Sequence, residues 1–460
     1  MKERVLWLDG LRGVASAIVA LFHAKSFEPQ SVLGFLFNSY WDEPAEENRR
    51  FIQLPPIRLL FSGASMVALF MVISGYAISL PLLQSRGDTL TNVLANNDGF
   101  FRRLASAATR RIFRIYLPCI VIIFVSQFLY FCGIYQWEPP SDDWVWGLKP
   151  FTAPLSHIHY ALWHVLHLLD ISNHGIDINF VRPRPDFANL NYQLWTMPVE
   201  IRGSCMVYLL ILTFAFWRPR PRYLALIAVA AYWLYIGQWD LFAFVAGMLL
   251  GEGHVSDHCG PAGEIELPCN HSETRRAVTD VWTKFKVLIG RFLPAASFVL
   301  GIYLLCMCHA DKVSPEYRFL LAIQSPSWDH PEMFSRCWRS IGATLAIYAI
   351  RESALLQSPL NSQPVQYLGE ISFPLYVIHV MVYFIFKRPV RSMLWFIVTQ
   401  TPYPGTVEAS RTHPVAFCMA FGGSVVVCLM IMVLVAELWN RFVDRKCMML
   451  ARRFEKWVTS

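Results

Sequence analysis

Charge is scarce in this chain. Asp, Glu, Lys and Arg make up 16% of its 460 residues, against 55% hydrophobic, and the mean hydropathy is +0.37. A soluble domain carries about 25% charged residues, so that class is excluded. A disulfide framework is missing too. The eleven cysteines are scattered, and Cys119, Cys205, Cys418 and Cys428 lie inside apolar runs, where they read as packing residues. No cleavable signal peptide is evident, because the first apolar run ends in His23 and Lys25 without a small-residue cleavage site. No internal repeat is visible, which weighs against a repeat-built transporter. No tight Cys/His pairing occurs. His157, His159, His164, His167 and His174 read as part of an amphipathic interfacial helix, "HYALWHVLH", with Trp163 at the boundary. His254, His258, Cys259, Cys269 and His271 read as a solvated loop, so no metal is expected. The ending "EKWVTS" carries no retention signal, which leaves endoplasmic reticulum, Golgi and plasma membrane undistinguished.

What is present is a series of long apolar blocks without a period of two or of three to four. Several approach the roughly 20 residues that cross a bilayer. The expectation is an all-α, polytopic integral membrane helix bundle in one domain, 1–460. It has about ten spans, near 8–27, 59–83, 113–134, 194–216, 223–237, 239–251, 287–308, 339–357, 367–388 and 413–437. The pair at 223–251 is short and reads as two spans or one broken pair. "RSMLWFIVTQTPYPG", between 388 and 413, reads as an interfacial or re-entrant piece.

Basic residues set the orientation, since cytoplasmic loops carry excess Lys and Arg. Lys2, Arg4 and Arg12, the arginines of the 84–114 loop, "RPRPR" at 218–222 and the tail from Arg441 to Lys456 all fall on one side of a ten-span chain. Both termini are therefore expected in the cytosol. The acidic 252–286 loop fits this less well, and it holds the sequon "NHS" at Asn270, usable only in a lumenal loop.

Four ionisable residues inside spans stand out: Arg12, His23, Glu200 and His379. Such groups usually face the bundle interior and mark a functional path, although a satisfied structural role competes for each. Eleven residues of helix turn through about 1100°, so Arg12 and His23 share a face about 16 Å apart along the axis. Depths counted from the span ends place His23, Glu200 and His379 together in the outer half of the membrane. Gly10 and Gly13 permit close helix approach around Arg12. Ser74 and Gly75 sit in the middle of span two, and "WTMPVE" and "ISFPLYVIH" each carry a proline before the ionisable group, expected to kink its span where the backbone lines a cavity. Arg110, Arg111 and Arg114 cluster at the mouth of span three. They read either as positive-inside anchors or as a phosphate clamp suited to acyl-CoA.

The same residues carry a family likeness. "LDGLRGVASAIVALFHA", "FMVISGYAI", "RRIFRIYLP", "LWTMPVEIRGS" and "YLGEISFPLYVIHV" resemble, in order, the signatures of the acyltransferase 3 membrane family, with "WTMPVEIRGS" closest to its fungal branch. The resemblance implies transfer of an acyl group, most often acetyl, from cytosolic acyl-CoA to a hydroxyl of a carbohydrate or small molecule. It makes His23 catalytic, Arg12 the essential arginine of the opening motif, and Arg111 and Arg114 the Arg-x-x-Arg pair. Glu200 and His379 fall in less defined signatures, as groups that orient His23 or relay protons. His23 then acts as general base or as a transient acyl carrier. A pantetheine arm threading between helices would bridge Arg12 and His23 and account for their spacing. The expected partners are acyl-CoA, acetyl-CoA first, a hydroxyl acceptor and the lipid bilayer, with no nucleic acid. The rival reading is a small-molecule transporter with an intramembrane proton relay. A silent, lipid-binding family member is a third.

Overall fold

The structure, a computed structural model, describes residues 5–24, 33–36, 38–90, 98–135, 153–172, 190–258, 290, 292–308 and 312–459. The sequon at Asn270 and most of the 252–286 loop lie outside the described residues. Every long regular element among the described residues is a helix. In hydrocarbon a helix satisfies its own backbone, which is why apolar runs of this length adopt it.

In chain order the helices are α1 (Leu6–Ala24), α2 (Gly63–Leu90), α3 (Asp98–Phe131), α4 (Pro154–Leu169), α5 (Thr196–Thr213), α6 (Pro219–Tyr235) and α7 (Trp239–His258). Then come α8 (Phe292–Leu305), α9 (Pro331–Glu352), α10 (Ala354–Leu360), α11 (Gln363–Glu370), α12 (Ser372–Val382), α13 (Arg388–Thr399), α14 (Val407–Thr412), α15 (Pro414–Trp439) and α16 (Arg445–Thr459). Six helical runs among the described residues are long and apolar enough to cross a membrane: those beginning at Leu6, Gly63, Gly99, Tyr192, Ser372 and Pro414. Shorter or more polar helices, α6, α7, α8 and α9, occupy the other four expected positions. The 223–251 region is two helices, turned at Gly237, whose φ of +79° suits glycine. Phe128, Leu209, Leu224, Val426, Met430 and Leu434 stand exposed, an apolar girdle that a water-soluble surface would not carry. The fold is a polytopic helical membrane bundle.

Two places differ from expectation. "RSMLWFIVT" is not a separate interfacial piece. A turn of π-helix, Tyr383–Lys387, joins α12 to α13, and the rod runs from Ser372 to Thr399 without a break. The prolines of "WTMPVE" and "ISFPLYVIH" do not kink spans. Pro198 and Pro374 lie in the first turns of α5 and α12, where the missing N–H costs no helical bond.

Packing places the site. α1 lies against α11 and α12, and α2 lies against α7 and α5. Gly13 permits the first contact, since a Cβ there would stand 2.5 Å from the Gly369 backbone nitrogen. At Gly75 in α2 a Cβ would stand 2.1 Å from the Phe244 carbonyl oxygen of α7. Helix association in lipid depends on such close packing rather than on hydrophobic burial. Gly13→Ala is therefore expected to cost about 1–3 kcal/mol or more by overpacking. The check is a lowered melting temperature and a smaller monodisperse peak in detergent. Gly422→Ala is the control, because nothing stands within 4 Å of that position.

At one end of the bundle Glu252 of α7 accepts bonds from Arg86 of α2 at 2.8 and 2.9 Å and from Arg222 of α6 at 3.0 Å, all three buried. Arg222, read from sequence as part of a basic loop, is thus an interior tie between helix ends.

Candidate active site

Arg12 is fixed where α11 gives way to α12. Its Nε donates to Ser372 Oγ at 2.9 Å and its Nη2 to the Gly369 carbonyl at 3.2 Å, and it pairs with Asp9 at 3.2 Å. One turn on, Ser16 Oγ donates to the Ser372 carbonyl at 3.0 Å. α11 ends and α12 begins around Ile371, and there "YLGEIS" and "LDGLRG" meet as one unit.

Eleven residues along α1, His23 meets His379 of α12, ring centroids 4.9 Å apart. The Tyr192 hydroxyl lies 3.3 Å from His23 Nδ1. His379 is wholly buried, and its Nδ1 donates to the Tyr376 carbonyl at 2.7 Å. In the neutral ring that bond leaves Nε2 as an acceptor, and among the described residues Nε2 has no hydrogen-bond partner.

Glu200 stands apart from the histidines. It pairs with Arg111 and accepts from Ser74 Oγ, while Arg111 Nε donates to Ser204 Oγ at 3.1 Å. Glu200, Arg111 and Ser74 line a cavity of about 100 Å³ together with Arg12, Arg114, Thr196, Ser372 and Tyr376; the rest of its wall is apolar. Depth counting from Trp195 puts Glu200 level with the histidines. But Gln193 and Leu194 are 1% exposed, so the chain before α5 already lies inside the bundle and the count starts too shallow.

Tyr376 separates the two groups. Its hydroxyl donates to the Gln193 carbonyl at 2.7 Å and lies 2.6 Å from Thr196 Oγ1. Its ring packs on Phe70, in the cavity wall, and on His379 behind it, at 6.0 and 5.8 Å. The order is therefore arginine cavity, Tyr376, His379, His23, Tyr192. Tyr192, Thr196, Ser372 and Tyr376 carry no sequence signal beyond being polar groups near apolar runs.

The arginine cluster splits. Arg111 and Arg114 face the cavity, whereas Arg110 bonds the Ser106 carbonyl and pairs with Glu455 at 3.6 Å, outside it. A second cavity, of about 420 Å³, adjoins the first and shares Arg12, Arg114, Ser372 and Phe373 with it. In α4, His157 is held by Gln127 Oε1 at 3.0 Å. Among the described residues no group of three or more His, Cys, Asp or Glu is placed to hold a metal ion.

The site is therefore a membrane-embedded cavity with guanidinium groups at one end and a histidine pair behind a tyrosine at the other. The acyltransferase 3 family model, described as an acyltransferase domain, matches residues 5–433. The O-acetyltransferase PaAT-1 of Phomopsis amygdali is 27% identical over 401 residues, covering 82% of this chain and 72% of the relative. The acyltransferase clz18 of Cochliobolus lunatus is 23% identical, covering 96% and 94%, and the acyltransferase R4 of a Phoma species is 24% identical, covering 95% and 93%. No solved structure matches the chain. The match spans all five motifs, and the chain belongs to the acyltransferase 3 family, as an acyltransferase of its fungal type.

Proposed function

We propose that this protein transfers an acyl group, acetyl first, from cytosolic acyl-CoA to a hydroxyl of a small-molecule or carbohydrate acceptor. The observation that carries the reading is the layout of the site: two adjoining cavities rimmed by Arg12, Arg111 and Arg114, closed by Tyr376, with His379 and His23 touching behind it. Guanidinium groups suit the phosphates of the donor. Similarity to the O-acetyltransferase PaAT-1 supports acetyl. The orientation, with both termini cytosolic, follows from the basic loops.

The donor enters from the arginine end, and its pantetheine arm passes Tyr376 so that the thioester reaches His23. The acceptor hydroxyl comes to His23. The Tyr192 hydroxyl lies beside His23 Nδ1; in the tautomer whose Nδ1–H donates to it, Nε2 is the basic nitrogen. It takes the hydroxyl proton as oxygen attacks the thioester carbonyl. The ester C–O bond forms, the C–S bond breaks, and the proton passes to the leaving CoA thiolate. Held by the Tyr376 carbonyl, His379 keeps the His23 ring in place. Arg12, anchored to α11 and α12, orients the donor.

The test is acetyl-CoA-dependent thiol release by purified protein in detergent, with a cell extract supplying acceptors. Release that requires both protein and extract is expected. Its absence, in an extract that labelled acetate shows to contain O-acetylated products, would overturn the assignment of donor and acyl group.

A further inference from the structure

The cavity nearer the arginine end is lined in part by a helix that neither the sequence motifs nor the family match includes. α16 lies beyond residue 433, where the family match ends. It follows α15 through a turn of π-helix, Asn440–Asp444, and the whole run from Pro414 to Val458 has 45 residues. Such a run is about 68 Å long, about twice what a bilayer core needs, so its last turns stand outside the hydrocarbon or along its edge. α3, with 34 residues, is also overlong, at about 51 Å. The two helices pack together, with the rings of Phe113 and Phe454 4.9 Å apart and Arg110 paired with Glu455.

α16 carries Arg445 and Arg452, both exposed, along the rim of this cavity. Seven residues are close to two full turns, so the two arginines share a side. With Arg12 and Arg114 they line the cavity of about 420 Å³, against two carboxylates, Glu370 and Asp444. That volume is within the range of cofactor pockets. Among the described residues Arg114, Arg445 and Arg452 make no hydrogen bond and no ion pair, unlike Arg12 and Arg111. Leu450, Trp457 and Val458 form a separate, exposed stripe suited to the bilayer edge. α16 thus offers one face to lipid and another to a polyanion in the cavity.

We propose that α16 is a donor clasp: Arg445 and Arg452 bind the phosphates at the adenosine end of acyl-CoA, while Arg12 and Arg114 hold the donor where the two cavities meet. This rests on the acyl-CoA reading above and adds to it a recognition element outside the matched domain. Guanidinium groups take phosphate oxygens in pairs, and each such bond is worth roughly tenfold or more in affinity.

The experiment is CoA binding by the full-length protein in phosphatidylcholine nanodiscs, by calorimetry, for wild type and for Arg445→Gln/Arg452→Gln. Dephospho-CoA, which lacks the 3′-phosphate, is the second ligand. Wild type is expected to prefer CoA to dephospho-CoA by about tenfold. The double variant should lose about 100-fold in CoA affinity and most of that preference, with its melting temperature unchanged. Arg445→Lys/Arg452→Lys should recover part of the loss, since charge remains but the paired geometry does not. Normal CoA binding by the glutamine variant would overturn the clasp and leave the donor reading standing. Failure of wild type itself to bind CoA would overturn both. A loss seen only when phosphatidylserine is added would assign the arginines to lipid headgroups and also overturn the clasp.

Discussion

His23→Ala is expected to reduce acyl transfer by about 10²–10⁴-fold in kcat, the usual contribution of a positioned general base. The bundle should survive the change. His23 is only partly buried, and its neighbours Phe22, Tyr192 and His379 keep their own packing. The measurement is thiol release by wild type and variant at equal folded concentration, with melting temperature as the control. Undiminished release by folded His23→Ala would place the chemistry elsewhere. His379→Ala separates the two histidines. His379 is wholly buried and bonded to the Tyr376 carbonyl. Its loss should lower kcat by misplacing His23, and should also lower the melting temperature by opening a void. A positioning role for His379 requires that the double variant be scarcely worse than His23→Ala alone, because the second histidine then acts only through the first.

The second large effect concerns Arg111 and Glu200. Their side chains are 15% and 13% exposed, and Ser74 and Ser204 complete the cluster. Arg111→Met leaves the largely buried Glu200 carboxylate without the cation that pairs with it. Breaking a buried pair from one side typically costs about 3–5 kcal/mol, far more than replacing both partners. Arg111→Met/Glu200→Gln is therefore expected to be more stable than Arg111→Met alone. Thermal melting of the two variants in detergent decides it. A single variant as stable as the double would mean that Glu200 is solvated through the cavity rather than held by Arg111. Activity answers a separate question. Loss in both variants at restored stability would assign Arg111 to donor binding, and recovery in the double variant would make the pair a structural strut.

Much of this protein was legible in its sequence. The scarcity of charge and the length of the apolar runs dictate a membrane helix bundle, because backbone groups in lipid leave a chain few alternatives. Each expected span corresponds to a helix among the described residues. The eleven-residue spacing puts Arg12 and His23 on one side of α1, and both face the rod that begins at Ser372. Gly13 signalled the contact that brings α1 against α11. These are local properties, fixed by the pitch of one helix and the size of one residue.

Other features depended on the tertiary structure. Depth along one helix says nothing about where its neighbour begins, so Glu200 was grouped with histidines from which Tyr376 separates it. Three arginines within about one helical turn look alike in sequence, yet Arg111 turns to Glu200, Arg114 to the cavity and Arg110 to Glu455, because α5 and α16 approach α3 from different sides. Arg445 and Arg452 read only as part of a basic tail until α16 is seen against α3. Periodicity and composition determined the elements and the ends they share. Which side chains meet, and which cation is left facing a cavity, was decided by helices far apart in the chain, through contacts that no local pattern encodes.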